Sequence, residues 1–333
     1  MVDRLLERID AWQRGHRWSA FTFGVFKKFG DDQAGNLAAL VAYYAFFSIF
    51  PLLLVLTTVL NRVLAGNPDL QRDVLDSALG QFPVIGDQLR ENVGGLPGSG
   101  LALVIGLVGA LWGGMGAVLA MQTALDGVWN VPLKRRPNLL VGRLRALLML
   151  IVLGVGILVL TFAGPATRAA AGIPVLGSAA SLAVSFGLGL GLFLVAFKLL
   201  CDADVSWRDL LPGAVAAAVA WSVLQLLGTM FVEHWVRGAT STSGVFAVVI
   251  GLLSWLYLQS QLTVLAAEVN VVKREHLWPR SLTGRSLGDG DRRALARYAA
   301  VEQRVEGQDL VVDLRPPAVD GFVRTAARSD DPS

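Results

Sequence analysis

GATSTSGVFAVVIGLLSWLYLQSQLTVLAA, residues 238–267, is a run of thirty residues without a single Asp, Glu, Lys or Arg. As a helix it is longer than the ~20 apolar residues that cross ~30 Å of hydrocarbon. Five further uncharged runs cover 33–61, 92–125, 146–167, 169–197 and 210–232, so that the six together make up 167 of 333 residues. Overall the chain is 54% hydrophobic and 17% charged, against about 25% charged in a soluble domain, which needs that charge to cover its surface. The runs do not alternate with the period of two that a membrane barrel requires. The fold class is therefore all-α: a polytopic membrane protein with six transmembrane helices, expected at about 37–60, 100–122, 146–164, 177–199, 210–232 and 245–267. Pro97-Gly98, Gly164-Pro165 and Gly172-Ile173-Pro174 supply the punctuation between spans.

Basic residues set the orientation. The N-terminal segment, the second and fourth loops and the C-terminal tail hold 24 of the 29 Lys and Arg residues. By the positive-inside rule both termini are expected in the cytoplasm of a cell that carries this protein in its inner or plasma membrane. Cys201 then falls at the cytoplasmic end of the fourth span. It is the sole cysteine, so no intramolecular disulfide framework is expected.

Three non-membrane regions flank these spans. In the cytoplasmic segment 1–32, Trp18, Phe21, Val25 and Phe29 share one helical face beside Arg17, Lys27 and Lys28. That pattern predicts an amphipathic helix lying on an anionic leaflet, the alternative being a short helix packed on the bundle. The external loop 62–98 carries an apolar stripe of Leu70, Val74, Leu75, Ala78, Leu79 and Phe82, suited to capping the six-helix domain of 33–275. The polar segment 276–333, rich in Arg, Asp, Gly and Pro, reads as a weakly ordered cytoplasmic tail with one helix near 290–304.

Polar groups within apolar spans need a reason to be there. In the sixth span Ser254, Tyr257, Gln261 and Glu268 recur at i, i+3, i+7 and i+14, so one stripe holds them, and Asn270 is a further polar candidate close behind. The first carries Asn36, Tyr43, Tyr44 and Ser48, then Pro51, expected to kink the helix. The second ends on Gln122 and Asp126, followed by Asn130. The functional reading has the first-span and sixth-span polar clusters facing each other across a cytoplasm-facing cavity, with Glu268 at its mouth holding a cation, a cationic headgroup or a loop arginine. The alternative makes the same groups helix-to-helix glue and headgroup anchors. Gly109 with Gly113 and Gly187 with Gly191 form two G-x-x-x-G pairs that favour close helix packing. Lys198 is expected to pair with Asp202 one turn on.

No P-loop, G-x-S-x-G or H-E-x-x-H occurs. Three separate histidines, His16, His234 and His276, do not make a metal set. No enzymatic activity, metal or cofactor is expected, and no nucleic-acid partner. Membrane lipids are the expected partners, and a homo-oligomer stays open.

The stretches LAALVAYYAFFSIFP (37–51), ALDGVWNVP (124–132), GVFAVVIGLLSWLYL (244–258) and AAEVN (266–270) resemble the YihY/virulence factor BrkB family of six-helix inner-membrane proteins. The resemblance covers about 20–275 and leaves the tail outside. The usual Gly-Ala-Glu of the family reads Ala-Ala-Glu at 266–268, keeping the acid and altering the backbone beside it. The resemblance implies an association with envelope integrity and amphiphile export, and no settled activity. An older label, ribonuclease BN, comes with it, and the missing metal ligands count against that label. A lipid or amphiphile translocator is the leading expectation, a non-transporting membrane scaffold the second and an intramembrane lipid enzyme the third.

Overall fold

The computed structural model describes residues 2–63, 100–171, 174–235, 244–284, 287–308, 310 and 312. Among these there are nine α-helices and no strand. They are α1 (Val2–Gly15), α2 (Arg17–Asp31), α3 (Ala34–Val63), α4 (Gly100–Val128), α5 (Leu139–Ala171), α6 (Pro174–Leu200), α7 (Trp207–Trp235), α8 (Gly244–Arg274) and α9 (Asp289–Val301). The apolar stripe expected within 62–98 lies outside the described residues.

Each long helix runs past the C-terminal end of its uncharged run. Polar and charged residues at the ends extend it past the hydrocarbon, and boundaries read from composition stop at the first charge. Gly164-Pro165 does not end its helix: α5 runs on to Ala171. Likewise α3 continues through Pro51, as membrane helices do where neighbours re-satisfy the freed carbonyl. Among the described residues five helices are long and apolar enough to cross a membrane, within Val104–Val128, Leu139–Gly156, Ala180–Leu200, Trp207–Gly228 and Val249–Arg274, and α3 adds the apolar stretch Ala34–Ile49.

The six long helices form a ring in chain order. Each packs on the next, α8 closes against α3, and α4 also touches α6 and α8. The tightest seam joins α3 to α4. A side chain on Gly109, Gly113 or Gly116 would meet Pro51 Cγ at 2.9 Å, Ser48 Cα at 2.9 Å or Tyr44 Cδ1 at 2.6 Å. The Gly109/Gly113 pair thus admits a neighbouring backbone, as small residues in spans do. The second pair does not: among the described residues, a Cβ added to Gly187 or Gly191 would meet no other part of the protein within 4 Å.

One end of the ring is closed by α1, α2 and the segment after α8. Val25 is buried in the core there with Phe21 and Phe29 packed against it, so three of the four residues expected on a lipid surface face protein. Trp18 alone of them is exposed, at 86%. The segment after 275, expected to be a weakly ordered tail, is folded over much of 277–301: Leu277, Arg280, Ser281, Asp291 and Ala294 are buried.

Candidate functional site

Lys28 lies on the last turn of α2 and is completely buried. Its ammonium pairs with Asp32 one turn on and donates to the Val128 carbonyl at 2.7 Å, where α4 ends. Glu268 Oε2, on α8, is 3.3 Å away, and the Tyr298 ring of α9 lies over the ammonium at 5.8 Å. Four helices therefore meet on one lysine. Gln33, at φ 51°, turns the chain sharply from α2 into α3 and holds Asp32 over the site. Burial pushes the Asp32 carboxyl above its ordinary range, opposed by the charge and hydrogen bond of Lys28. Glu268 is fully buried as well, its carboxyl set between the Lys28 ammonium and the Asp32 carboxyl.

Glu268 is thus buried where an open mouth was expected, and among the described residues its ion-pair partner is a lysine. A lysine expected at the headgroups reaches it instead. The signal was present in outline: Asp32 is the last charge before the first uncharged run, and Glu268 the first after the last. Their common depth followed from the topology, but their meeting depended on how α2 folds back.

The first-span and sixth-span clusters do not face each other as a whole. Tyr44, Ser48 and Pro51 turn to the glycines of α4, and the Ser48 hydroxyl donates to the Ala45 carbonyl at 2.7 Å. Tyr43 is exposed and stacks on Phe47 at 4.8 Å. From α8, the Tyr257 hydroxyl and the Gln261 amide approach Gly35 near the start of α3, while Ser254 and Asn36 are exposed. Asn270 reaches α7, where its Oδ1 accepts from Gly213 N at 2.5 Å. Asn130 takes φ 51° at the end of α4, its amide donating to the Gly127 carbonyl at 3.2 Å, a helix stop that asparagine tolerates.

A second polar cluster ties α4, α5 and α6. Asp202 pairs with Arg145 and accepts from Gln122 Nε2 at 3.1 Å, while its backbone N–H donates to Asp126 Oδ1 at 3.0 Å. Lys198, expected to pair with Asp202, donates to the Val205 carbonyl at 2.7 Å. Cys201 is buried beside this cluster, and burial pushes its thiol up to about 12.

A model of the virulence factor BrkB family matches residues 25–285, the six long helices with the last part of α2 and the start of the segment after α8. The chain belongs to that family. It is 25% identical over 275 residues to a putative ribonuclease-like protein YfkH of Bacillus subtilis, covering 78% of this chain and 97% of that one. A UPF0761 membrane protein of Janthinobacterium is 28% identical over 149 residues, or 43% of this chain and 33% of the relative. An uncharacterized protein of Dickeya dadantii is 26% identical over 262 residues, covering 72% and 79%. No solved structure matches it.

In this BrkB family member the match runs past α8 to the clamp that holds α9. Arg280, buried, pairs with Asp291 and Asp31, both at 2.8 Å. Gln13 Nε2 donates to the Arg280 carbonyl at 2.6 Å, Leu282 N to Asp10 Oδ1 at 2.9 Å and Lys27 Nζ to the Ser281 carbonyl at 2.5 Å. The Tyr298 hydroxyl donates to Asp31 Oδ2 at 3.2 Å. Among the described residues no group of three or more His, Cys, Asp and Glu side chains is placed to hold a metal ion.

Proposed function

We propose that this BrkB family membrane protein is a six-span inner-membrane translocator of lipid or another amphiphile, with both termini in the cytoplasm. Parity supports the sixth span. Helices α1 and α2 hydrogen-bond to the segment after α8, so an even number of crossings separates them. Five crossings would put these partners on opposite faces, which supports α3 as a sixth. The basic residues assign the shared face to the cytoplasm. There α1 turns Leu6, Ile9 and Trp12 outward beside Trp18, a set suited to the headgroup layer.

The observation that carries the translocator reading is the α3–α8 seam, where the ring closes. Asn36, Leu40, Tyr43 and Phe47 on α3 and Ser254, Tyr257 and Leu258 on α8 are exposed. This mixed polar and aromatic strip lies beside otherwise apolar surface. Such a strip offers hydrogen bonds to a headgroup while its acyl tails stay in lipid. A scaffold role is favoured by a different observation, the use of Tyr44, Ser48 and Pro51 to pack α4.

Purified protein in proteoliposomes with headgroup-labelled phospholipid separates the two readings. Translocation predicts lipid movement well above protein-free vesicles, reduced several-fold by Tyr257→Ala with abundance unchanged. Movement no faster than in empty vesicles would leave the scaffold.

A further inference from the structure

The Lys28 site holds two carboxyls and one ammonium, all sealed from water. Side-chain exposure is 0% for Lys28, 4% for Asp32 and 0% for Glu268. With all three ionised the site carries a net charge of −1, and an uncompensated charge buried in a bundle costs several kcal/mol. Its neighbours do not cancel that charge. Arg280 is taken by Asp31 and Asp291, and Lys27 by Asp291 and the Ser281 carbonyl. Asp31 on α2 adds negative charge nearby, the Tyr298 phenol of α9 is neutral, and α4 contributes only the Val128 carbonyl. Glu268, meanwhile, faces the Lys28 ammonium at 3.3 Å and lies within hydrogen-bonding reach of the Asp32 carboxyl. Two carboxyls sharing one site cannot both ionise freely, and their titration belongs to the pair.

We propose that Lys28, Asp32 and Glu268 form a proton-binding site in which the two carboxyls hold one exchangeable proton against the fixed charge of Lys28. Binding one proton takes the site from −1 to zero, and no other reactant is involved. Tyr298 covers the site: its ring lies over the ammonium and its hydroxyl bonds to Asp31, whose side chain is 34% exposed. The path to the cytoplasmic face thus runs under α9. Resting on the translocator reading, the inference goes further: this proton is the coupling ion, since proton relays in transporters use intramembrane carboxyls of this kind.

Infrared spectra of the full chain in lipid nanodiscs, stepped from acid to alkaline pH, read the carbonyl stretch of a protonated carboxyl directly. The wild type should show one buried protonated carboxyl at neutral pH that is lost on alkalinisation. Glu268→Gln and Asp32→Asn should each abolish it, because one carboxylate and one ammonium already sum to zero. If one variant fails to fold, the other still decides. Lys28→Met should strengthen the band and extend it to higher pH, because the fixed positive charge that favours the ionised form is gone. Absence of the band in folded wild type, or its persistence in both single-carboxyl variants, overturns the site. Lipid flux in the same preparation tests the coupling: dependence on a pH gradient, lost in Glu268→Gln, supports it, and gradient-independent flux refutes it. No flux at all would defeat the translocator reading, and the coupling with it, while the infrared band decided the site alone.

Discussion

Asn270 and Gly213 set the closest approach of α7 to α8, and they do so without a charge. A Cβ on Gly213 would overlap the Ala266 carbonyl oxygen and the Asn270 side-chain amide, and backbone has no rotamer with which to retreat. Pro212 precedes this glycine inside α7, and Ser206 and Asp209 cap the helix start through bonds at 3.0 and 3.3 Å. Gly213→Ala should therefore force the helices apart and destabilise the protein by about 1–3 kcal/mol. Thermal unfolding in detergent would register this as a lowered midpoint, and an unchanged midpoint would show that the seam yields. Sequence alone marked Asn270 as a polar residue needing a reason. The reason, a main-chain N–H on another helix, lay 57 positions away and no local periodicity points to it.

At the scale of elements, α9 is held by the Arg280–Asp291 pair together with the buried Ala294. Burial works against the ionised Asp291. The Arg280 guanidinium, the Ser281 and Gly288 N–H groups and the charge of Lys27 outweigh it and hold the carboxyl below its usual range. A depressed folded value contributes stability that is complete above the unfolded value and is lost as pH falls through the folded one. The clamp should thus be intact at neutral pH and weaken only below the ordinary aspartate range, about pH 4. Hydrogen exchange followed by mass spectrometry should then show α9 losing protection in acid before α4–α8 do. In Asp291→Asn that loss should already be present at neutral pH. Equal protection of α9 in the variant would mean that apolar packing suffices. Gly290 reinforces the clamp, since a Cβ there would meet the Pro279 carbonyl at 2.5 Å.

For the whole molecule, topology is the statement that everything else rests on. Cys201, attractive as a natural reporter, is a poor one: it is buried and its thiol is pushed up to about 12, so little reactive thiolate forms at neutral pH. With the native cysteine left in place, Ser77→Cys should react with a membrane-impermeant maleimide on intact cells. Val305→Cys, at an exposed position, should react only after permeabilisation, and Cys201 only after denaturation. The reverse pattern at 77 and 305 would invert the orientation.

The membrane class, the all-helical fold and the approximate place of each long helix were determined by the sequence alone. Uncharged length is a one-dimensional property, and the hydrocarbon layer imposes it directly. Family membership was legible for a related reason: the matching runs at 37–51, 124–132, 244–258 and 266–270 are each contiguous. What the tertiary structure decided is who meets whom across the ring. Tyr44 and Ser48 went to the α4 glycines, Asn270 to Gly213 and Asp202 to Arg145. Lys28 left the surface for a buried site with Asp32 and Glu268. Such pairings depend on the rotation of each helix about its axis and on the fold-back of short helices. Both are fixed by packing between residues far apart in the chain, and hydropathy carries no record of either.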